Sequence, residues 1–520
     1  MSDRRTRPYT LYDFTQSVCH QDDCLRRADA KIVFEDGNVF MLKECVNHPG
    51  EQKVLIATDI PYYKQTREVF LKPSEMPNRF GTPVKWGCPY DCGLCTDHQQ
   101  HSCTTLIEIT DNCNLTCPTC YASSSPGQPD RPLDLVKSMI DLVIRNEGEP
   151  DIVQISGGEP TIHPQFWKIM DYAYSRKEIR GILLNTNGIK IANDPRFAER
   201  LAEQYKGRLE VYLQFDSFRP EALISLRGKD LTESRQKAID NLNRVNLPTT
   251  LVTTLQRGLN VDEIGTILEY ALRQRCVRGV SYQPTQAAGR LENFDPSKDR
   301  LTLTEVRQAI IDQSRGLFIG ADIVPVPCNP DSLAIAYAFK LGNEVFPLTR
   351  YISPQALIEG AKNTIMFDRE TQLLKELASN EEIQEELSSL LQNPDFVERC
   401  FKALSTGNLT SEAGQRVQEA LCCLPQVSLP PKILYENTFR VTIIAFQDKY
   451  NLDARVIKKS CVHIVHPDGR RVIPFETMNI FYRPGLEGRL DEIREERLPS
   501  GNKRGEIQLP LLKKDGRIRK

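Results

Sequence analysis

Ten of the sixteen cysteines fall before residue 121, in three tight groups, and the other six are scattered through the rest of the 520-residue chain. Disulfide scaffolds are usually short secreted chains, and a chain of this length is not of that kind. The opening MSDRRTRPYTLYDF has basic residues with no apolar stretch behind them, so no secretory signal is expected. There is also no apolar run of roughly 18 residues, the length that spans a bilayer. The expected setting is cytoplasmic and reducing, where clustered thiolates serve as soft metal ligands.

Periodicity divides the chain further. Residues 1–80 read as a small Cys/His metal-binding module, in which KIVFEDGNVFMLKEC carries a hairpin signal at Asp36–Gly37. Residues 81–103 are turn-rich and dense in cysteine. From 104 to 295, short apolar runs alternate with helical stretches. Six strands are predicted, at 105–110, 151–156, 181–186, 209–215, 249–255 and 277–283, with helices such as 131–147, 195–206 and 261–275 between them. Strand–helix units in series predict an α/β parallel sheet, either curved into a partial barrel or left open. Residues 296–483 are expected to be α+β: mostly helical from 303 to 435, LLKELASNEEIQEELSSLL above all, then strand-like over 438–482. Residues 484–520 read as a charged tail. A formal charge of −2 excludes a global polyanion-binding surface, so nucleic acid is not an expected partner.

The sharpest local pattern is EITDNCNLTCPTCYA, which puts Cys113, Cys117 and Cys120 in C-x3-C-x2-C spacing just after the first predicted strand. Three thiolates can hold three irons of a cubane and leave the fourth open to a small molecule. A zinc knuckle short of one ligand is the structural alternative. One βα unit later comes SGGEPT, where Gly157 and Gly158 allow close backbone approach and Glu159 offers an acceptor for an ammonium group.

The joint pattern resembles the radical S-adenosylmethionine (SAM) superfamily. The resemblance implies a partial (β/α)6 barrel, a 4Fe–4S cluster on Cys113, Cys117 and Cys120, and SAM held by Gly157, Gly158 and Glu159. It also places Tyr121 near the adenine. One-electron cleavage of SAM would then leave a 5′-deoxyadenosyl radical, with the electron coming from a small donor such as ferredoxin or flavodoxin. Asn187, Gln214 and Asp216, at the ends of the third and fourth predicted strands, are placed to reach SAM's ribose or the substrate, or else to serve turns and caps.

Other cysteines point to further metal. Cys88, Cys92, Cys95 and Cys103 can close a whole cubane, an auxiliary cluster, with zinc as the competing occupant. Cys19, Cys24, Cys45 and His48 form a Cys3His set for a single zinc or iron ion, with His20 a bystander. Cys328, Cys422, Cys423 and Cys461 could supply a second auxiliary cluster, and Cys276 reads as a core thiol.

The order of these modules resembles the archaeal tetraether lipid synthase group, also described as 7,8-dihydro-6-hydroxymethylpterin dimethyltransferases. The C-x4-C spacing at Cys19 and Cys24 is looser than that group's. The resemblance implies hydrogen abstraction from unactivated carbon, with coupling of membrane lipid chains as the first reading. A pterin methyltransferase or a peptide-modifying maturase is the alternative. A lipid substrate implies peripheral membrane contact, to which the basic residues after 500 could contribute. The non-enzyme alternative is an iron–sulfur electron carrier, which has no use for an open iron.

Overall fold

The computed structural model describes residues 7–68, 75–291, 294–341, 344–350, 354 and 437–496. The N-terminal module is an antiparallel meander of β1 (Thr10–Val18), β2 (Arg27–Glu35), β3 (Asn38–Cys45) and β4 (His48–Ala57). Asp36 and Gly37 both have positive φ, 49° and 79°, as a tight two-residue hairpin with right-handed strand twist demands. Helix α1 (Ile60–Glu68) closes a small core that includes Ala30, Ile32, Val39, Met41, Ala57 and Tyr63.

The predicted alternation appears as β5 (Thr104–Glu108), β6 (Ile152–Ser156), β7 (Gly181–Thr186), β8 (Leu209–Gln214), β9 (Thr249–Leu255) and β10 (Val277–Pro284), all parallel. Between them run α2 (Leu133–Glu147), α3 (Phe166–Ser175), α4 (Ile189–Asn193), α5 (Pro195–Tyr205), α6 (Pro220–Arg227), α7 (Thr232–Val245) and α8 (Ile264–Arg273). Strand pleating sorts the side chains. Leu209, Val211 and Leu213 of β8 join the outer core, whereas Tyr212 and Gln214 face a lumen.

The parallel sheet is larger than the six strands predicted. After α9 (Leu303–Gln313) come β11 (Val324–Pro325), β12 (Leu333–Leu341), β13 (Glu344–Pro347), β14 (Thr438–Ile444), β15 (Val462–Val465) and β16 (Val472–Pro474). β14 adds in parallel beside β10, and β15 in parallel beside β5. Eight parallel strands thus run β15-β5-β6-β7-β8-β9-β10-β14, flanked by antiparallel β16 and β12. Among the described residues no pairing joins β14 to β15. There Phe446 and Phe475 stack 4.0 Å apart and cover the lumen.

Two expectations for the C-terminal region change. LAIAYAF at 333–339 is strand, not helix. Leu333, Ile335 and Tyr337 face one core and Ala334, Ala336 and Ala338 the other, a two-residue period hidden because both faces are apolar. The tail is structured at its start, since Glu487–Glu496 forms a helix that buries Leu490 and Ile493. The stretch 373–391, Cys422, Cys423 and residues 497–520 lie outside the described residues. Among the described residues, no helix is long and apolar enough to cross a membrane.

Candidate active site

The loop leaving β5 is folded by its own backbone. Asp111 N donates to Pro129 O (3.0 Å), Arg131 N to Ile109 O (3.0 Å) and Cys113 N to Ser125 O (3.2 Å), drawing both arms together. Cys113, Cys117 and Cys120 then line one cavity with Tyr121, Gly157, Gly158, Glu159, Asn187 and Gln214. Burial raises all of Cys113, Cys117 and Glu159, and the thiols also repel one another. Such crowded donors suit a cation, whose charge would reverse these shifts. Among the described residues no fourth thiol and no imidazole lines this cavity. The donor set therefore fits a cubane whose fourth iron faces open space.

Gly157 and Gly158 are required for a different reason from the one expected. A Cβ on Gly157 would lie 2.3 Å from Thr110 O, and one on Gly158 would lie 2.1 Å from Asn112 O. Gly158 N and Glu159 N donate to those same carbonyls, at 2.7 and 2.9 Å. The glycines thus lock the loop after β6 against the cysteine loop. Glu159 accepts from Thr161 N (3.1 Å), Thr161 Oγ1 (2.6 Å) and Thr186 Oγ1 (2.8 Å) at Oε1, and from Asn187 N (2.8 Å) at Oε2. Oε2 keeps acceptor capacity toward the cavity. Glu159→Ala is expected to weaken SAM binding by about 1.5–3 kcal/mol, the worth of a hydrogen bond to a charged group. Calorimetric titration of cluster-loaded protein measures this, and an unchanged affinity would remove Glu159 from the SAM contact set.

Tyr121 packs against Phe475 at 5.1 Å, with the Arg483 guanidinium over its ring. Asn187 lines the cavity yet also serves its turn, its Oδ1 accepting from Ile189 N at 3.0 Å. Asp216 does not line the cavity wall. Its carboxylate is engaged by Arg227 and Arg235, so direct contact with ribose or substrate is withdrawn.

Three arginines of the site went unread in the sequence, Arg227, Arg290 and Arg440. Arg227, at the end of α6, lines the cavity. Arg290 clamps the cysteine loop, donating to Cys117 O (3.0 Å) and Ser124 O (2.6 Å). The one available signal was Gly289, just beyond β10: its φ is +60°, and a Cβ there would stand 2.2 Å from Cys120 O.

The upstream cysteines regroup. Cys88, Cys92 and Cys95 line a small cavity with His98, in a loop folded around Asp91, whose Oδ2 accepts from the amides of Lys85, Trp86 and Gly87. Cys103 is not with them. It lies with Cys328 and Cys461, the three sulfurs within 4.8 Å of one another. Eight residues can extend about 26 Å, and this stretch crosses to the start of β5, where Thr104 N bonds Cys461 O. Closeness in sequence was mistaken for closeness in space. Cys276 is a buried core thiol, as read.

Cys19, Cys24, Cys45 and His48 converge within 4.8 Å at the tips of the two hairpins β1–β2 and β3–β4. The looser Cys19–Cys24 spacing is taken up by a short helical turn, with Asp22, Asp23 and Leu25 all at positive φ. His20 stays outside the group, tilted against Tyr450.

Residues 107–271 match the Radical SAM superfamily model, and residues 11–58 match the HMPTM N-terminal zinc ribbon domain. The chain thus carries a radical SAM domain with a zinc ribbon domain on its N-terminal side, and radical SAM enzymes work with a 4Fe–4S cluster and SAM. It is 28% identical over 509 residues to 7,8-dihydro-6-hydroxymethylpterin dimethyltransferase of Methanocaldococcus jannaschii, covering 93% of this chain and 96% of that one. GTP 3′,8-cyclase of Chlorobaculum tepidum is 31% identical over 165 residues, 31% of this chain and 48% of that one. The crystal structure of Streptococcus suis SuiB bound to S-adenosylmethionine overlaps 41% of this chain and 48% of its own at 17% identity, with a TM-score of 0.34.

Proposed function

We propose that this enzyme uses radical chemistry to methylate a reduced pterin, the methyl group coming from a one-carbon donor separate from the SAM that is cleaved. The observation that carries the reading is the lumen beneath the cysteine loop. Its wall mixes apolar side chains such as Leu106, Val252 and Ile444 with a set of polar ones, Gln154, Asn185, Tyr212, Ser281, Gln283 and Arg440, that all face it. A bicyclic pterin presents alternating donors and acceptors along its edge, and amide side chains match both. A lipid chain would instead call for a long apolar groove. The near full-length relative named for a pterin substrate supports the same choice, so the lipid reading gives way to it.

When bound, SAM and its cluster supply a carbon-centred radical by one-electron cleavage. Cys113, Cys117 and Cys120 would hold the cluster at the mouth, with Glu159 on SAM's amino group. Below them Tyr212 donates to Ser281 Oγ (2.7 Å) and Gln283 to Tyr212 (2.9 Å), a network that fixes side-chain directions before substrate arrives. Phe446 and Phe475 stack in the cavity wall, an apolar cover of the kind that protects a reactive intermediate from quenching. Cys88, Cys92 and Cys95, and separately Cys103, Cys328 and Cys461, are offered as auxiliary metal sites.

The test is isotopic. Enzyme, reductant and SAM are incubated anaerobically with a deuterated dihydropterin, and 5′-deoxyadenosine is analysed by mass spectrometry. Deuterium is expected in the 5′-deoxyadenosine. Label arriving from deuterated membrane lipid, and none from pterin, would return the assignment to lipid coupling.

A further inference from the structure

Next to the cysteine loop, two buried arginines share one carboxylate. Asp216 follows β8 in the left-handed backbone region at φ 68°, held there by Asn260 Nδ2 donating to its carbonyl at 3.0 Å. Its Oδ1 accepts from Arg227 Nη2 (2.6 Å), Thr254 N (3.0 Å) and Gln214 Nε2 (3.0 Å). Its Oδ2 accepts from Arg227 Nε (2.8 Å) and Arg235 Nη2 (3.3 Å). Burial favours the neutral acid, but the arginines prevail and hold the carboxyl below its ordinary value.

Two guanidinium groups against one carboxylate leave an excess of one positive charge, and all three side chains are buried. Buried charge calls for a counter-ion. Among the described residues, Asp216 is the one carboxylate that forms an ion pair with Arg227 or Arg235. The remaining negative partner is sulfur, since Arg227 lines the same cavity as Cys113, Cys117 and Cys120.

We propose that Asp216, Arg227 and Arg235 form a charge-positioning triad that raises the reduction potential of the cluster held by Cys113, Cys117 and Cys120. This rests on the cluster assignment made under the proposed function. An added electron makes the cluster more negative, so a fixed cation beside it stabilises the reduced state. Low local polarity magnifies that attraction. Arg227 and Arg235 are positioning residues here, and Asp216 sets how much of their charge is felt.

The test is a potentiometric titration of anaerobically reconstituted full-length protein without SAM, followed by electron paramagnetic resonance. The relevant signal is the one that SAM perturbs and Cys117→Ala lacks. Arg227→Gln should make reduction about tenfold less favourable, ~59 mV lower for one electron. Arg227→Lys should recover most of that shift, and Asp216→Asn should move the potential upward. Parental potentials in both Arg227→Gln and Asp216→Asn, with iron and sulfide contents unchanged, would overturn the proposal. If Arg227→Gln assembles no cluster, Asp216→Asn decides alone, and no upward shift overturns it. A parent protein showing no SAM-perturbed signal would instead overturn the cluster assignment itself.

Discussion

Cys117→Ala should abolish 5′-deoxyadenosine formation while leaving most of the protein's iron in place. Cys117 is one of three thiols on a single loop, and no other thiol lines the cavity to replace it among the described residues. With two ligands a cubane is no longer held at three corners, so SAM loses both its iron and its electron source. The other cysteine groups lie on separate segments, Cys88–Cys95 and the Cys103/Cys328/Cys461 cluster, and should keep whatever metal they carry. Anaerobic assay of product, with iron and sulfide analysis, checks both halves. Parental product formation by the variant would show that the cluster of the SAM site sits elsewhere.

Removing the metal of the N-terminal ribbon should melt β1–β4 and spare the barrel. Four antiparallel strands around so small a core are too little to be stable by burial alone. Structural zinc contributes roughly 10–16 kcal/mol of apparent binding energy in small zinc-finger modules at pH 7. Cys45→Ala should release this ion and strip hydrogen-exchange protection from residues 10–57, with β5–β10 still protected.

Contacts with the body oppose that outcome. Lys43 Nζ is buried and donates to the carbonyls of Val18 (2.7 Å) and Tyr450 (2.8 Å), and burial lowers it to about 7. Arg489 of the C-terminal helix donates to Cys24 O (2.8 Å). Retained protection in metal-free Cys45→Ala would show that this docking, and not the ion, holds the ribbon.

Local patterns in the sequence explain much of the fold because their causes are local. The hairpin at Asp36–Gly37 follows from which residues tolerate positive φ, and β5 to β10 follow from apolar runs between amphipathic helices. Cys113, Cys117, Cys120 and Glu159 were readable because their spacing lies within single loops. Arg227, Arg290, Gln283 and Arg440 were not, since each is an ordinary polar residue whose neighbours are remote in sequence.

The grouping of Cys19, Cys24, Cys45 and His48, and that of the three central thiols, were thus legible in the sequence alone, because each set is tied to one or two turns. Tertiary structure decided the rest. It moved Cys103 away from Cys95 and beside Cys328 and Cys461, because the start of β5 is hydrogen-bonded to the residues preceding β15. It brought β14 and β15 to the two edges of the six-stranded sheet, adding Arg440 and Val462 to the lumen. It also turned Asp216 from a presumed ligand contact into the anchor of two arginines. Each of these outcomes depends on strand pairing and buried charge between residues far apart along the chain, which no run of neighbouring residues encodes.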